Sequence, residues 1–204
     1  MAATGPAQNP RERLLQTASR LFYAHGLARV GINEVIREAG IARMTLYNHF
    51  PSKNDLVREV LKMRIREWQD ALTQAIESRS DQPREQLLAV FDVLEERLFD
   101  PEFHGCVALN FAAEGSELDK ELARLAQGHK TFVLEYLKSR VQHLPVRQPE
   151  DLARGLLLIH NGATVLAQLG GDSYHQGDAK RAAAQLIRAY EIRKDPKRGA
   201  GDDE

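Results

Sequence analysis

Cysteine occurs once in the 204 residues, at Cys106. A lone cysteine closes no intramolecular disulfide, so a reducing cytoplasm is the expected setting. Long apolar runs are missing as well. No stretch of 18 apolar residues offers a membrane span, and no N-terminal apolar run resembles a secretory signal. No segment reads as a strand, which leaves an all-α fold as the expected class. Metal-ligand spacings are lacking too. The seven histidines form no His-x-x-His, His-x-x-x-His or Glu-x-x-His pair, and Cys106 has no partner at ligand spacing. His104 and His160 are free to meet in space, but ordinary polar or half-buried histidines are the expectation, and Cys106 reads as a small buried hydrophobe. Neither metal nor other cofactor is expected. Glycine-rich phosphate loops are absent, and Ser116, Ser139 and Ser173 sit in no recognisable nucleophile context, so no enzyme is expected.

A large net charge of either sign is also missing: the formal value is −1. That alone speaks against a nucleic-acid partner. The distribution speaks for one. Residues 1–70 carry eleven Lys/Arg against seven acids, and the remainder carries 17 against 22. A basic head on an acidic body suits a chain that presents one end to DNA. An apolar share of 43% is enough for a packed core. The length fits one domain or two small ones.

The stretch GINEVIREAGIARMTLYNHFPSK, from Gly31 to Lys53, organises the rest. Its first helix is expected at Ile32–Ala39, with Val35, Ile36 and Ala39 forming one apolar stripe. Gly31 is an acceptable N-cap, and Glu34 stands three residues on, as in a weak capping box. Gly40 ends the helix, because the left-handed conformation past a helix end costs glycine nothing. Ile41 turns inward, and a second helix follows over 42–49. Two helices joined by a short glycine-containing turn are a helix-turn-helix. On the second helix Leu46 and Phe50 share an anchoring side. Arg43, Met44, Tyr47 and Asn48 cover the opposite arc, flanked by Thr45 and His49. No acid stands between Glu38 and Asp55. An acid would be repelled by phosphate, whereas these donors, the planar cation and the apolar tip suit a groove.

Leu14, Leu15, Ala18, Leu21, Phe22, then His25-Gly26, then Ile32 to Ala39-Gly40-Ile41, then Thr45-Leu46-Tyr47-Asn48-His49-Phe50-Pro51-Ser52-Lys53 and Leu56 resemble the DNA-binding domain of the tetracycline-repressor (TetR) family of transcriptional regulators. The resemblance covers about 50 of the 204 residues. The family usually carries Thr or Ser where Gly31 stands, and Ser or Thr where Ala42 stands. The hydroxyl missing at Ala42 removes a cap worth about 1 kcal/mol. The resemblance implies a cytoplasmic, homodimeric regulator of double-stranded operator DNA. It implies a repressor released from a palindromic operator by a small-molecule ligand, with an activator of the same type, or a ligand-independent helical DNA-binding or adaptor protein, as the alternative. Arg43 is expected to reach a guanine edge, Met44 a thymine methyl, and Asn33 a second base. Tyr47, His49 and Lys53 are expected on phosphates, with Thr45 suited to either role and Asn48 on the same face.

The remaining chain reads as helices. Residues 1–9 look like a loose tail. A first helix over Pro10–His25 completes a helix-turn-helix domain at 10–56. A long helix from Ser52 to about Ser78 leads into a second helical domain at 57–195, and 196–204 reads as a disordered tail. That second domain is expected to hold a helix to about Phe99, a deeply buried one at Cys106–Glu114, and others at Leu118–His143, Pro149–Leu169 and Asp178–Arg193. About nine helices result in all. Phe91, Phe103, Val107, Phe111, Phe132, Tyr136 and His160, with Asn110 and Asn161 as isolated polar groups, are candidates for a largely apolar effector pocket. Plain core is the competing role for each. One reading motif per chain implies a two-fold dimer on an inverted repeat. Its interface is expected on the last two helices, where Gly155, Gly162, Ala163 and Ala167 permit close approach and Leu166, Leu186 and Tyr190 supply area.

Overall fold

The computed structural model describes residues 9–115 and 120–192. Of the expectations above, the tails at 1–8 and 196–204, Ser116, the helix start at Leu118 and the helix end at Arg193 lie outside the described residues. Nine α-helices follow in order among the described residues: α1 Pro10–His25, α2 Ile32–Ala39, α3 Arg43–His49, α4 Lys53–Glu77, α5 Pro83–Leu98, α6 Val107–Gly115, α7 Lys120–Val141, α8 Pro149–Leu169 and α9 Asp178–Tyr190. A single 3₁₀ turn at Gly171–Ser173 precedes α9. There is no strand among the described residues, only an isolated antiparallel bridge between Val146 and Glu191.

The helix ends follow from local chemistry. The Asn9 side chain accepts the Arg11 amide at 3.0 Å, with Pro10 in the first turn. Gly40 adopts φ +61° and its N–H returns to the last carbonyls of α2. Ala42 begins α3 with no side-chain cap, as its missing hydroxyl dictates. Ser52 caps α4: its hydroxyl accepts the Asp55 amide at 3.2 Å and donates to the Asp55 carboxylate at 2.7 Å. That hydroxyl, and then Arg58, hold the Asp55 carboxyl below its ordinary pKa.

The chain forms two compact units that do not follow chain order. The first combines residues up to Gln74 with Leu98–Phe132, and the second combines Ala75–Arg97 with the residues from Val133 onward. The expected domain boundary at 56–57 falls within α4 and within the first unit. The core of that unit joins Leu14, Phe22, Leu46, Phe50, Leu61 and Phe111, all nearly inaccessible to solvent. Phe22 and Phe111 meet edge to face at 6.4 Å. The α6 helix is one-sided rather than deeply buried throughout. Val107, Ala108 and Phe111 point into the core, while Leu109, Ala113 and Glu114 stay exposed.

In the second unit, α8 and α9 pack along their lengths. A Cβ at Gly155 would stand 2.7 Å from a terminal methyl of Leu186, so the two helices approach closely here. The start of α9 is tied to α5 through buried Glu95, which accepts the Tyr174 hydroxyl at 2.9 Å and the Gly177 amide at 2.8 Å. Burial, and then Glu95 itself, push the Tyr174 phenol well above its ordinary pKa. Lys180 adds an ion pair to Asp92 at 2.7 Å.

Candidate nucleic-acid interface

Helices α1, α2 and α3 pack against one another, and α3 is anchored by Leu46 and Phe50, which are 0% and 1% exposed. With that side fixed, the helical period turns the other side outward. Arg43, Met44, Tyr47, Asn48 and His49 are exposed, Met44 at 71% despite its apolar side chain. Thr45 is half-buried, and Asn33 is exposed near the start of α2. The Arg43 guanidinium lies 5.8 Å from the centre of the Tyr47 ring. That is within reach of a cation–π attraction, on an arginine that stays exposed. Seven of the eight candidates from the sequence thus share two neighbouring short helices with no acid among them on α3.

Lys53 is placed differently. Its amine donates to the Leu27 carbonyl at 2.5 Å and lies 5.8 Å from the Phe22 ring centre. Burial draws its pKa below the ordinary lysine value, and the nearby Glu114 charge opposes that shift. The amine is thus turned onto the α1–α2 connection.

Two residues that no spacing in the sequence marks bond to the backbone before α2 and at its end. The Arg13 guanidinium, from α1, donates to the Ala39 carbonyl at 2.5 Å and the Gly40 carbonyl at 3.4 Å. It supplies cationic partners to the carbonyl end of α2, where the helix dipole favours them. Glu114, from α6, accepts the Leu27 amide at 2.6 Å and the Ala28 amide at 3.2 Å. Only the excess of Arg in the first 70 residues hinted at the former; residues 27 and 114 are too far apart in sequence for any local signal.

The effector candidates divide between the units. Val107 and Phe111 are core residues of the first unit, Phe103 and Phe132 are half-buried there, and the Asn110 amide donates to the His104 carbonyl at 2.8 Å. Phe91 and His160 are buried in the second unit, where Tyr136 and Asn161 are half-buried. Arg140 stacks over the Tyr136 ring at 4.8 Å. The second unit also has clefts of about 420 Å³, along Arg147, Gln148, Ala189 and Tyr190, and about 490 Å³, along Glu77, Asp81, Gln86, Arg140 and His143. None of the nine effector candidates lines either.

The dimer candidates divide as well. Gly155 and Leu186 meet inside the chain, and Ala163 is buried at 5%. Gly162 and Leu166 face outward, while Ala167 and Tyr190 are half-buried. The outward stripe of α8 also holds Leu158 at 72%, Val165 at 45% and Leu169 at 75% exposure.

Residues 14–60 match the model of the bacterial regulatory proteins of the tetR family. The HTH-type transcriptional regulator TtgR of Pseudomonas putida is 27% identical over 191 residues, covering 89% of this chain and 76% of that protein. A TetR-family transcriptional regulator of Streptomyces coelicolor superposes with a TM-score of 0.82 at 28% identity, over 90% of this chain and 96% of the other. A TetR transcriptional regulator of Streptomyces avermitilis superposes with a TM-score of 0.77 at 30% identity, over 90% of this chain and 98% of the other. With the helix-turn-helix geometry, the all-helical architecture and likeness at this identity over nearly the whole length, the chain belongs to the TetR family of DNA-binding transcriptional regulators.

Proposed function

We propose that this regulator is a dimeric repressor that binds an inverted-repeat operator and is released by a small, largely apolar effector. One observation carries the DNA-reading part: the outward arc of α3, acid-free and anchored from behind by Leu46 and Phe50. Arg43 reads a guanine through its bidentate fork, Met44 packs on a thymine methyl, and Asn33 contacts a further base. Tyr47 and His49 hold phosphates, Asn48 lies along the same arc, and Thr45 serves either group. Lys53, held on the Leu27 carbonyl, is left out of the phosphate contacts. Two copies meet through the outward stripe of α8 with α9 beside it, as a four-helix bundle. That pairing sets the recognition helices about one DNA turn, roughly 34 Å, apart. The effector binds within one of the two units, at those of the candidate side chains which that unit contains, and helices α4 and α7, each of which contributes to both units, carry its effect.

The test is selection of duplexes from a random library by the full chain. The expected product is an inverted repeat, bound with an affinity that falls steeply as salt rises, through counterion release. Enrichment of no sequence, or binding with equal affinity to scrambled duplexes, overturns the reading.

A further inference from the structure

The peptide of Leu27 is held from both sides. Its N–H donates to Glu114 at 2.6 Å, and its carbonyl accepts from Lys53 at 2.5 Å. The Ala28 N–H adds a second bond to the same Glu114 oxygen at 3.2 Å. Glu114 stands in the last turn of α6, Lys53 begins α4, and Leu27 belongs to the connection between α1 and α2. The carboxylate lies so close to this turn that a Cβ at Gly26 would stand 3.0 Å from it. Gly26 itself adopts φ +84°, a conformation open to glycine, so the chain is shaped to bring these amides to the acid.

These contacts are the strong kind. A carboxylate accepting two backbone amides, and an ammonium donating to the carbonyl of the same residue, are charge-assisted bonds. The Lys53 charge is helped by its partner: desolvation lowers its pKa, and the nearby Glu114 charge raises it. Leu27 is itself buried at 7%, and its two bonds are partly shielded from solvent, while the Ala28 bond is exposed. A connection that would otherwise behave as a surface loop is therefore fixed to two helices at once. It leads directly into α2, and α2 into α3.

We propose that Glu114 is a positioning residue for DNA binding: with Lys53 it clamps the Leu27 peptide and thereby sets the angle at which α2 and α3 meet the groove. This rests on the DNA-reading role of α3. It adds a route by which any displacement of α6 reaches the recognition helix, separate from movement along α4. The clamp makes no DNA contact itself.

The experiment uses the full chain and the duplex that the wild type enriches from a random library. Wild type, E114Q and E114A are compared by amide hydrogen exchange, by affinity for the enriched duplex, and by affinity for a scrambled duplex. Exchange at Leu27 and Ala28 should quicken from wild type to E114Q to E114A. Affinity for the enriched duplex should fall about threefold to thirtyfold, the range for residues that act without touching the ligand. Affinity for the scrambled duplex should stay unchanged, because the exposed cations are untouched. If E114A does not fold, E114Q has the same shape and carries the test alone. Combining E114Q with K53M should cost less than the two single losses together, since both act on one peptide. Faster exchange with full affinity, or equal losses on both duplexes, overturns the clamp while leaving the regulator reading intact. A wild type that enriches no duplex overturns both.

Discussion

Arg43 and Lys53 stand ten positions apart in a run that reads from sequence as one DNA-contacting surface, yet the structure gives them opposite orientations. Arg43 stays in solvent beside Tyr47, while Lys53 turns inward to Leu27. The periodicity of α3 suffices for the first, because two buried anchors, Leu46 and Phe50, determine where every other side chain of a seven-residue helix points. It is silent on the second. A lysine at a helix start has four flexible bonds, and its partner carbonyl belongs to another element. Glu114 was illegible for the same reason: its role depends on two amides 86 and 87 residues away. The prediction at this scale concerns Arg43. Arg43→Ala should cost about 1–3 kcal/mol on the enriched duplex and relax preference at one base pair in each half-site, as removal of a bidentate guanine contact does. Repeating the selection with the variant checks it. An unchanged consensus at unchanged affinity would place base reading elsewhere.

At the level of elements, α8 shows both what periodicity reveals and where it stops. Its span, Pro149–Leu169, is legible end to end: Pro149 stands in the first turn, acids follow, and Gly170 closes it. Which of its faces turns outward is not legible, because α8 is apolar nearly all round and small residues look alike on either side. The structure divides them. Gly155 lies against Leu186 of α9 and Ala163 is buried, and the outward stripe is Leu158, Gly162, Val165, Leu166 and Leu169. These positions recur at intervals of three and four, so they form one band along the helix. The short α6 illustrates the converse: a nearly uncharged sequence suggests burial on all sides, but three of its nine residues stay exposed, one of them Glu114. Leu158→Asp tests the band directly. The side chain is 72% exposed within one chain, so the variant should fold with unchanged helix content. In a two-fold pair each unpaired buried carboxylate costs about 3–5 kcal/mol, and symmetry supplies two of them. Sedimentation should then show monomers, and binding to the inverted repeat should weaken in proportion. A dimer of wild-type stability would remove the α8 stripe from the interface.

For the molecule as a whole, the proposed reading requires that a ligand bound away from α3 alter how α3 meets DNA. The all-helical architecture and the reading head follow from the sequence pattern. The division into two units that interleave along the chain does not, because sequence order cannot show which distant segments cluster. Its consequence is that α4 and α7 each belong to both units. Trp68 of α4 and His129 of α7 meet edge to face at 4.6 Å, which ties these two helices within the first unit. Closer to the reading head, Glu121 of α7 pairs with Lys62 at 3.1 Å and with Arg58 at 3.8 Å, both on α4. An effector shifts the DNA-bound population only to the extent that it binds the two arrangements differently. On the proposed reading it favours a displacement of α4 and α7 that spoils the half-site spacing. Coupling of about 1–3 kcal/mol is the ordinary scale, and it must be reciprocal. Trp68 is the single tryptophan, so its fluorescence reports on this junction without labelling. With any small molecule that releases the enriched duplex, titration should change Trp68 emission, and saturating duplex should raise the midpoint about fivefold to 150-fold. The same factor should separate duplex affinities measured with and without that molecule. A midpoint indifferent to duplex would show that the molecule and DNA do not compete through the fold, and would leave the second unit as a dimerisation module alone.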